Sequence, residues 1–322
     1  MWLLVACAVL CPCGLPANRL GDSEKAAPPD LLVLPDDGAA ALLTAVTQAR
    51  QRVWGEMYML TSFDAMDALV AAHTAGADVR LLLEPAPYGS ETANQGAFQS
   101  LAAAGIDVRW FAVPEGLVHA KFLLIDDVAW ILTLNLTLAG VTRNREFAVA
   151  DHDAVDVNRI EDLWQSDALG APASAGPSGA RVLTSPVDAR PRLTAAVDAA
   201  RASVAIEVEE LSDADFVTRL MAVSARGVPV SIVVPASDRS AATSAAVTRL
   251  SASGVAVRAL GAPTLHAKAM VIDDRLTYVG SVNFTRASFD DNREVGLLMQ
   301  DGATTARVAA TLAADWARGS AP

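Results

Sequence analysis

Lysine is almost missing from this chain: Lys25, Lys121 and Lys268 are the only three in 322 residues. With 25 basic against 37 acidic side chains the net charge is −12. Neutralising a nucleic-acid backbone needs clustered Lys and Arg, so binding through the overall field is excluded, although a local basic cleft is not. Cysteine is absent after position 13; Cys7, Cys11 and Cys13 are the whole supply, so disulfides have no part in the body of the fold. No Cys/His or His/carboxylate cluster has metal-ligand spacing, and neither a metal nor another cofactor is expected. Charged residues make up only 19 % against 52 % hydrophobic, which excludes a disordered chain and implies a well-packed globular one.

The N-terminus also lacks something, a basic region before its apolar run, since the first basic residue is Arg19. Residues 2–11 are apolar but too short to span a bilayer as a helix. They read as the core of an export signal with cleavage after Ala17, or, through Leu4-Val5-Ala6-Cys7, as a lipoprotein signal. The expected location is therefore outside the cytoplasm, either periplasmic, extracellular or lipid-anchored.

What the chain does contain is a duplication. His119-Ala120-Lys121 with Asp126 is repeated 147 residues later as His266-Ala267-Lys268 with Asp273. These octapeptides use two of only four histidines and two of the three lysines. Asn135 and Asn283 follow them, and then Asn144-Arg145-Glu146 and Asn292-Arg293-Glu294. Weaker likeness extends upstream, where Gly76 to Leu83 parallels Gly227 to Val234 and Glu56 parallels Glu207. A period of about 150 residues is too long for a solenoid and implies a duplicated domain. The expected organisation is 1–17 signal, 18–30 linker, 31–164 first half, 165–180 a Pro/Gly/Ala/Ser linker, and 181–318 second half.

Helical periodicity over about 38–51, 64–75 and 94–104 alternates with apolar strands at 79–83 and 107–111, and the second half repeats the pattern. Residues 118–126, 129–135 and 146–150 read instead as short strands joined by turns. The fold class is therefore α/β, with two pseudo-twofold-related α/β/α halves and mixed sheets.

Side chains two apart in a strand share a face, so His119 and Lys121 project together and Asp126 projects oppositely; the same holds for His266, Lys268 and Asp273. The aspartates are expected to brace the Asp126-Asp127 and Asp273-Asp274 turns. On the returning strand Thr133 with Asn135, and Ser281 with Asn283, should join their own half's His and Lys in one patch. Glu146 and Glu294 could each orient an imidazole by accepting its other N–H. Two such patches suit an anionic phosphoryl centre, with Lys and Asn on non-bridging oxygens and the histidines dividing nucleophile and acid roles. His73 and His152 read as surface or packing residues, Glu56 and Glu207 as structural, and Trp110, Phe111 and Trp130 as core side chains rather than a lipid-facing rim.

With two copies of HxKx4D, the chain resembles the phospholipase D superfamily over about residues 31–318. The resemblance implies metal-independent, two-step phosphodiester cleavage through a phosphohistidine. His119 would be the nucleophile and His266 the acid/base, Lys121, Lys268, Asn135 and Asn283 would complete the catalytic set, and an alcohol could replace water as acceptor. The implied partner is a phospholipid at a membrane surface, its headgroup being released. The alternatives are a non-specific endonuclease of the same superfamily, with nucleic acid as substrate, and a catalytically weak binding or toxin-like module. Both half-sites lie in one chain, so no protein partner is required. One departure stands out: the first copy has Leu132-Thr133 where the second has Gly280-Ser281, and its turn is one residue shorter.

Overall fold

A computed structural model describes residues 30–112, 116–172 and 174–322. The expected signal and all but the last residue of the first linker lie outside the described residues. The first half runs β1 (Asp30–Leu34), α1 (Ala40–Thr47), β2 (Arg52–Met57), α2 (Phe63–Thr74), β3 (Asp78–Leu83), α3 (Gln95–Ala103), β4 (Asp107–Trp110), β5 (Lys121–Ile125), β6 (Val128–Leu132), α4 (Leu138–Thr142), β7 (Asn144–Asp151) and α5 (Ala154–Ala168). The second runs β8 (Val182–Ser185), α6 (Ala189–Asp198), β9 (Val204–Val208), α7 (Ala214–Ala225), β10 (Val230–Pro235), α8 (Ala241–Ala252), β11 (Ala256–Leu260), β12 (Thr264–Leu265), β13 (Lys268–Ile272), β14 (Leu276–Gly280), α9 (Arg286–Asp290), β15 (Glu294–Met299) and α10 (Gly302–Arg318).

Each half builds one mixed sheet. In the first the order is β1-β7-β6-β5-β2-β3-β4, and in the second β8-β15-β14-β13-β9-β10-β11. β2, β3 and β4 are parallel, as helical crossovers require, while β5, β6, β7 and β1 run antiparallel, β5 and β6 forming a hairpin. The α/β class with mixed sheets is thus what forms, and the edge strands β1 and β8 are additions that the periodicity did not announce. Local signals agree with the repeats. Ser62 and Asp213 cap α2 and α7 by accepting from Ala65 N and Phe216 N. After the same helices, Gly76 and Gly227 take φ of +102° and +84°, a left-handed conformation that glycine adopts at little cost.

Among the described residues three hydrophobic cores result. One lies under α1, α2 and α3 on the outer face of the first sheet, with Leu123 and Ile125 among its members. Another lies under α6, α7 and α8 on the second. The central core is shared: Phe122, Leu124 and Ile131 pack with Ala269, Val271 and Val279 of the other half, between α5 and α10. Phe111 and Trp130 are buried, and Trp110 stacks on Phe98 at 4.2 Å, so these aromatics do pack in the core. Among the described residues, no helix is long and apolar enough to cross a membrane.

The halves also exchange backbone. β12, immediately before His266, pairs with β7 of the first half through Thr264↔Asn144 and Leu265↔Arg145. Val118, immediately before His119, bridges to Arg293 of the second half. This reciprocal exchange positions the site.

Candidate active site

Each motif histidine is held by the opposite half. His119 N–H donates to the Arg293 carbonyl at 2.9 Å, and His266 N–H to the Arg145 carbonyl at 3.3 Å. The next residue in each partner strand is the glutamate. His119 Nδ1 consequently lies 2.9 Å from Glu294 Oε2, and His266 Nδ1 lies 2.7 Å from Glu146 Oε1. A self-contained patch in each half is therefore not what forms. The imidazole–carboxylate pairs are crossed, because the residues before each strand are drawn to the other half's β7 or β15. Strand alternation holds for Lys121, Leu123 and Ile125, but β5 begins at Lys121, so His119 owes its direction to the cross-half bond instead.

Both glutamates are fully buried, and a buried carboxylate must be compensated. Thr133 does so by donating its hydroxyl to Glu146 Oε2 at 2.6 Å while accepting from Phe147 N at 2.8 Å. Ser281 likewise accepts from Val295 N at 3.0 Å. Burial alone would raise the Glu294 carboxyl, but His119, Lys121 and Ser281 outweigh it and hold the group below its usual value. Holding Nδ1 against a carboxylate fixes the tautomer and leaves Nε2 of each ring to meet substrate.

Lys121 and Lys268 have no exposed surface, and each donates to its own histidine's carbonyl, at 2.5 and 2.6 Å. Burial is the main cause that brings Lys121 down to about 7, and the neighbouring Lys268 adds to it. His119 is lowered too, first by burial and then by the two lysines, with Glu294 opposing. Asn135 and Asn283 are buried, and the Asn283 carbonyl oxygen accepts from Glu210 N at 3.2 Å, which fixes its amide.

Asp126 and Asp273 do not act mainly on their own turns, where the sequence had placed them. Asp126 accepts from the backbone N–H groups of Arg50, Gln51 and Arg52 at 2.7–3.1 Å. Asp273 does the same for Arg201, Ala202 and Ser203 at 2.6–3.1 Å. They clamp the α1–β2 and α6–β9 loops to the motif strands. The one-residue difference between copies is absorbed in the hairpin turns, Asp126-Asp127 against Asp273-Asp274-Arg275, at the far end of the strand from the histidines. Gly280 has a separate reason: a Cβ there would lie 2.4 Å from Gly296 Cα and 2.7 Å from the Tyr278 hydroxyl.

Sequence reasoning missed several residues that shape the site. Glu209 donates no proton but pairs with Lys268 Nζ at 2.7 Å and lies 3.5 Å from His266 Nε2. Burial opposes its charge, but His266 and Lys268 hold its carboxyl well below the ordinary range. At the matching position of the first half is Tyr58, edge-on to His119 at 4.7 Å with Lys121 Nζ 5.0 Å from its ring. The available signal was position, two residues beyond the paired Glu56 and Glu207. Arg145 and Arg293, passed over within Asn-Arg-Glu, make buried ion pairs across the halves with Asp315 (2.5 Å) and Asp167 (2.8 Å). Glu56 and Glu207 lie against Asp167 and Asp315, away from the histidines, and burial raises both well above the usual carboxylate value. His152 is exposed, 3.5 Å from Asp30, and His73 is half-buried on α2.

A family model described as "Cardiolipin synthase, PLD-like domain" matches residues 42–167 and again 193–316. The chain belongs to the phospholipase D superfamily. Among curated proteins this phospholipase D-like chain is similar to cardiolipin synthase 2 of Bacillus cereus, at 27 % identity over 126 residues, covering 38 % of the chain and 24 % of the relative. The Bacillus anthracis cardiolipin synthase 2 matches equally, so the chain aligns with about a quarter of either relative's length. Among solved structures, phosphatidylserine synthase of Haemophilus influenzae aligns with TM-score 0.67 at 12 % identity, covering 88 % of this chain and 85 % of that one. Polyphosphate kinase of Porphyromonas gingivalis aligns with TM-score 0.67 at 17 % identity, over 88 % and 49 %. These two likenesses concern the fold. Family membership assigns the chain phosphodiester chemistry of the superfamily's kind, hydrolytic or transferring.

Proposed function

We propose that the chain cleaves phospholipid phosphodiesters through a phosphohistidine on His119, with water or an alcohol as the acceptor. The observation that carries this reading is the crossed pair of His–Glu contacts around two buried lysines. Neutral His119 presents Nε2 to phosphorus, forming a P–N bond as the bond to the headgroup oxygen breaks. His266 delivers a proton to that oxygen. It then takes a proton from the acceptor, whose oxygen forms the new P–O bond as the P–N bond breaks. Lys121, Lys268, Asn135 and Asn283 hold the non-bridging oxygens, where negative charge concentrates in the transition state.

A lipid substrate is supported by the relatives named cardiolipin synthase and by the setting of the site. The arginines beside the histidines are engaged in buried ion pairs and offer no basic track for a polynucleotide. Phe63, Tyr88 and Leu138 are 78 %, 89 % and 59 % exposed on segments tied to the site. Tyr88 N–H donates to the Tyr58 hydroxyl at 2.8 Å, and Ser62 N–H to the Leu136 carbonyl at 2.9 Å. Such side chains suit the headgroup region of a bilayer. Export, the location expected from the N-terminus, would give access to that surface.

The test compares headgroup release from phosphatidylglycerol and phosphatidylcholine vesicles with cleavage of single- and double-stranded DNA. Headgroup release that falls about 10²–10⁴-fold or more in His119→Ala and in His266→Ala is expected. DNA cleavage with steep salt dependence and no headgroup release would overturn the lipid reading in favour of a nuclease. Inactivity toward both would favour a binding module.

A further inference from the structure

The two half-sites repeat His, Lys, Asn and Glu, but where the first places Tyr58 against its histidine and lysine the second places Glu209. We infer that Glu209 is a positioning residue that breaks the symmetry, making His266 the ring that gives its proton to the leaving oxygen and leaving His119 as the nucleophile. This rests on the phosphodiesterase reading above.

The geometry supplies the argument. Nδ1 of each ring faces a carboxylate, Glu294 for His119 at 2.9 Å and Glu146 for His266 at 2.7 Å. At Nε2, the reacting nitrogen, they differ. The Glu209 carboxylate lies 3.5 Å from His266 Nε2, whereas His119 meets the edge of the Tyr58 ring. A carboxylate beside Nε2 can orient the N–H that a general acid delivers. A ring with a carboxylate on one side only keeps a lone pair for attack on phosphorus.

The lysines strengthen the contrast. Lys268 Nζ approaches both His266 ring nitrogens, at 3.3 and 3.4 Å. Glu209 binds that ammonium at 2.7 Å and offsets it. Lys121 has the face of Tyr58 instead, which carries no charge, and the His119 ring is correspondingly lowered by burial and by the lysines. The charged groups facing His266 are thus Glu146 from β7, Glu209 from the segment after β9, and Lys268 from β13. Only Glu209 lacks a charged counterpart in the other half.

Glu209→Gln keeps the shape and removes the charge, and the test reads dependence on the leaving group. Nitrophenolate leaves without a proton, whereas an alkoxide requires one. With bis(p-nitrophenyl) phosphate, the burst of nitrophenol should fall several-fold less than phospholipid turnover does. With a phospholipid, whose leaving group is an alcohol, kcat should fall at least about tenfold, a part of the ~10²–10⁴ that a general acid supplies. Rapid quenching with the nitrophenyl substrate should label the peptide containing His119 alone in the unmodified chain, and both histidine peptides in the variant. Glu209→Asp should restore part of the phospholipid rate. Equal losses on both substrates would show a merely structural residue and overturn the assignment, as would no loss on either or label confined to His119 in the variant. If the unmodified chain forms no phosphoenzyme and turns over neither substrate, the phosphodiesterase reading falls, and this assignment falls with it.

Discussion

Lys121 shows how one buried position sets the working range of the site. Its ammonium has no exposed surface and titrates at about 7, so a cation needed to hold phosphate oxygens is lost as pH rises through neutrality. His119 is displaced in the same direction, below its ordinary value, and must be neutral to attack. Activity should therefore fall on the acid side as His119 gains a proton, and on the alkaline side as Lys121 loses one. We expect kcat/KM, which reports the free enzyme, to have its alkaline limb near 7. Lys121→Arg keeps a charge that does not titrate in this range, so the alkaline limb should move up by more than about two units even if the maximum rate drops. A limb that stays in place in the variant would assign it to another group.

At the scale of elements, Asp126 and Asp273 convert a motif position into a clamp. Each carboxylate gathers three successive N–H groups from the loop that enters the neighbouring central strand. Burial would raise both, but the N–H donors prevail and lower them, so they are ionised in the folded protein and the clamp weakens only in acid. Both are half-buried, so each contribution sits in the lower part of the range for charged hydrogen bonds. Asp126→Ala should lower unfolding stability by about 1–2 kcal/mol, measured by denaturant melts at neutral pH. The phosphoenzyme-forming step should change by less than about threefold in the folded fraction. A collapse of that step with unchanged stability would place Asp126 in the chemistry.

For the whole molecule, the joint between halves is ionic as well as apolar. Arg145 reaches Asp315 in the last helix, and Arg293 reaches Asp167 at the end of α5, all four being buried. The same arginines present the carbonyls that hold His266 and His119, so assembly of the halves and assembly of the site are one event. Arg145→Met should cost about 3 kcal/mol, because buried Asp315 is left with the exposed Arg318, 3.1 Å away, as its one cationic neighbour among the described residues. Pairing it with Asp315→Leu should recover most of that loss, as removing both ions spares the desolvation cost. A melt showing additive losses in the double variant would argue against the pair acting as a unit.

How much of this was legible in the chain depends on range. His119, Lys121, His266 and Lys268 stood out because repetition of rare residue types at fixed spacing is a local property. The α/β class followed from periodicity, and the turn-length difference falls at the end of a hairpin, which absorbs the extra residue. The pairing of His119 with Glu294 and of His266 with Glu146 could not be read. The halves are similar enough that each glutamate fits either histidine, and only strand exchange between sheets chooses. Glu209 was hidden for the same reason, since nothing local says which loop residue faces a lysine 59 positions away. The sequence by itself determined the duplicated elements and the groups able to do phosphoryl chemistry, because those follow from composition and period. Tertiary structure alone decided which half serves which ring and where the symmetry breaks, because those depend on contacts between residues far apart in the chain.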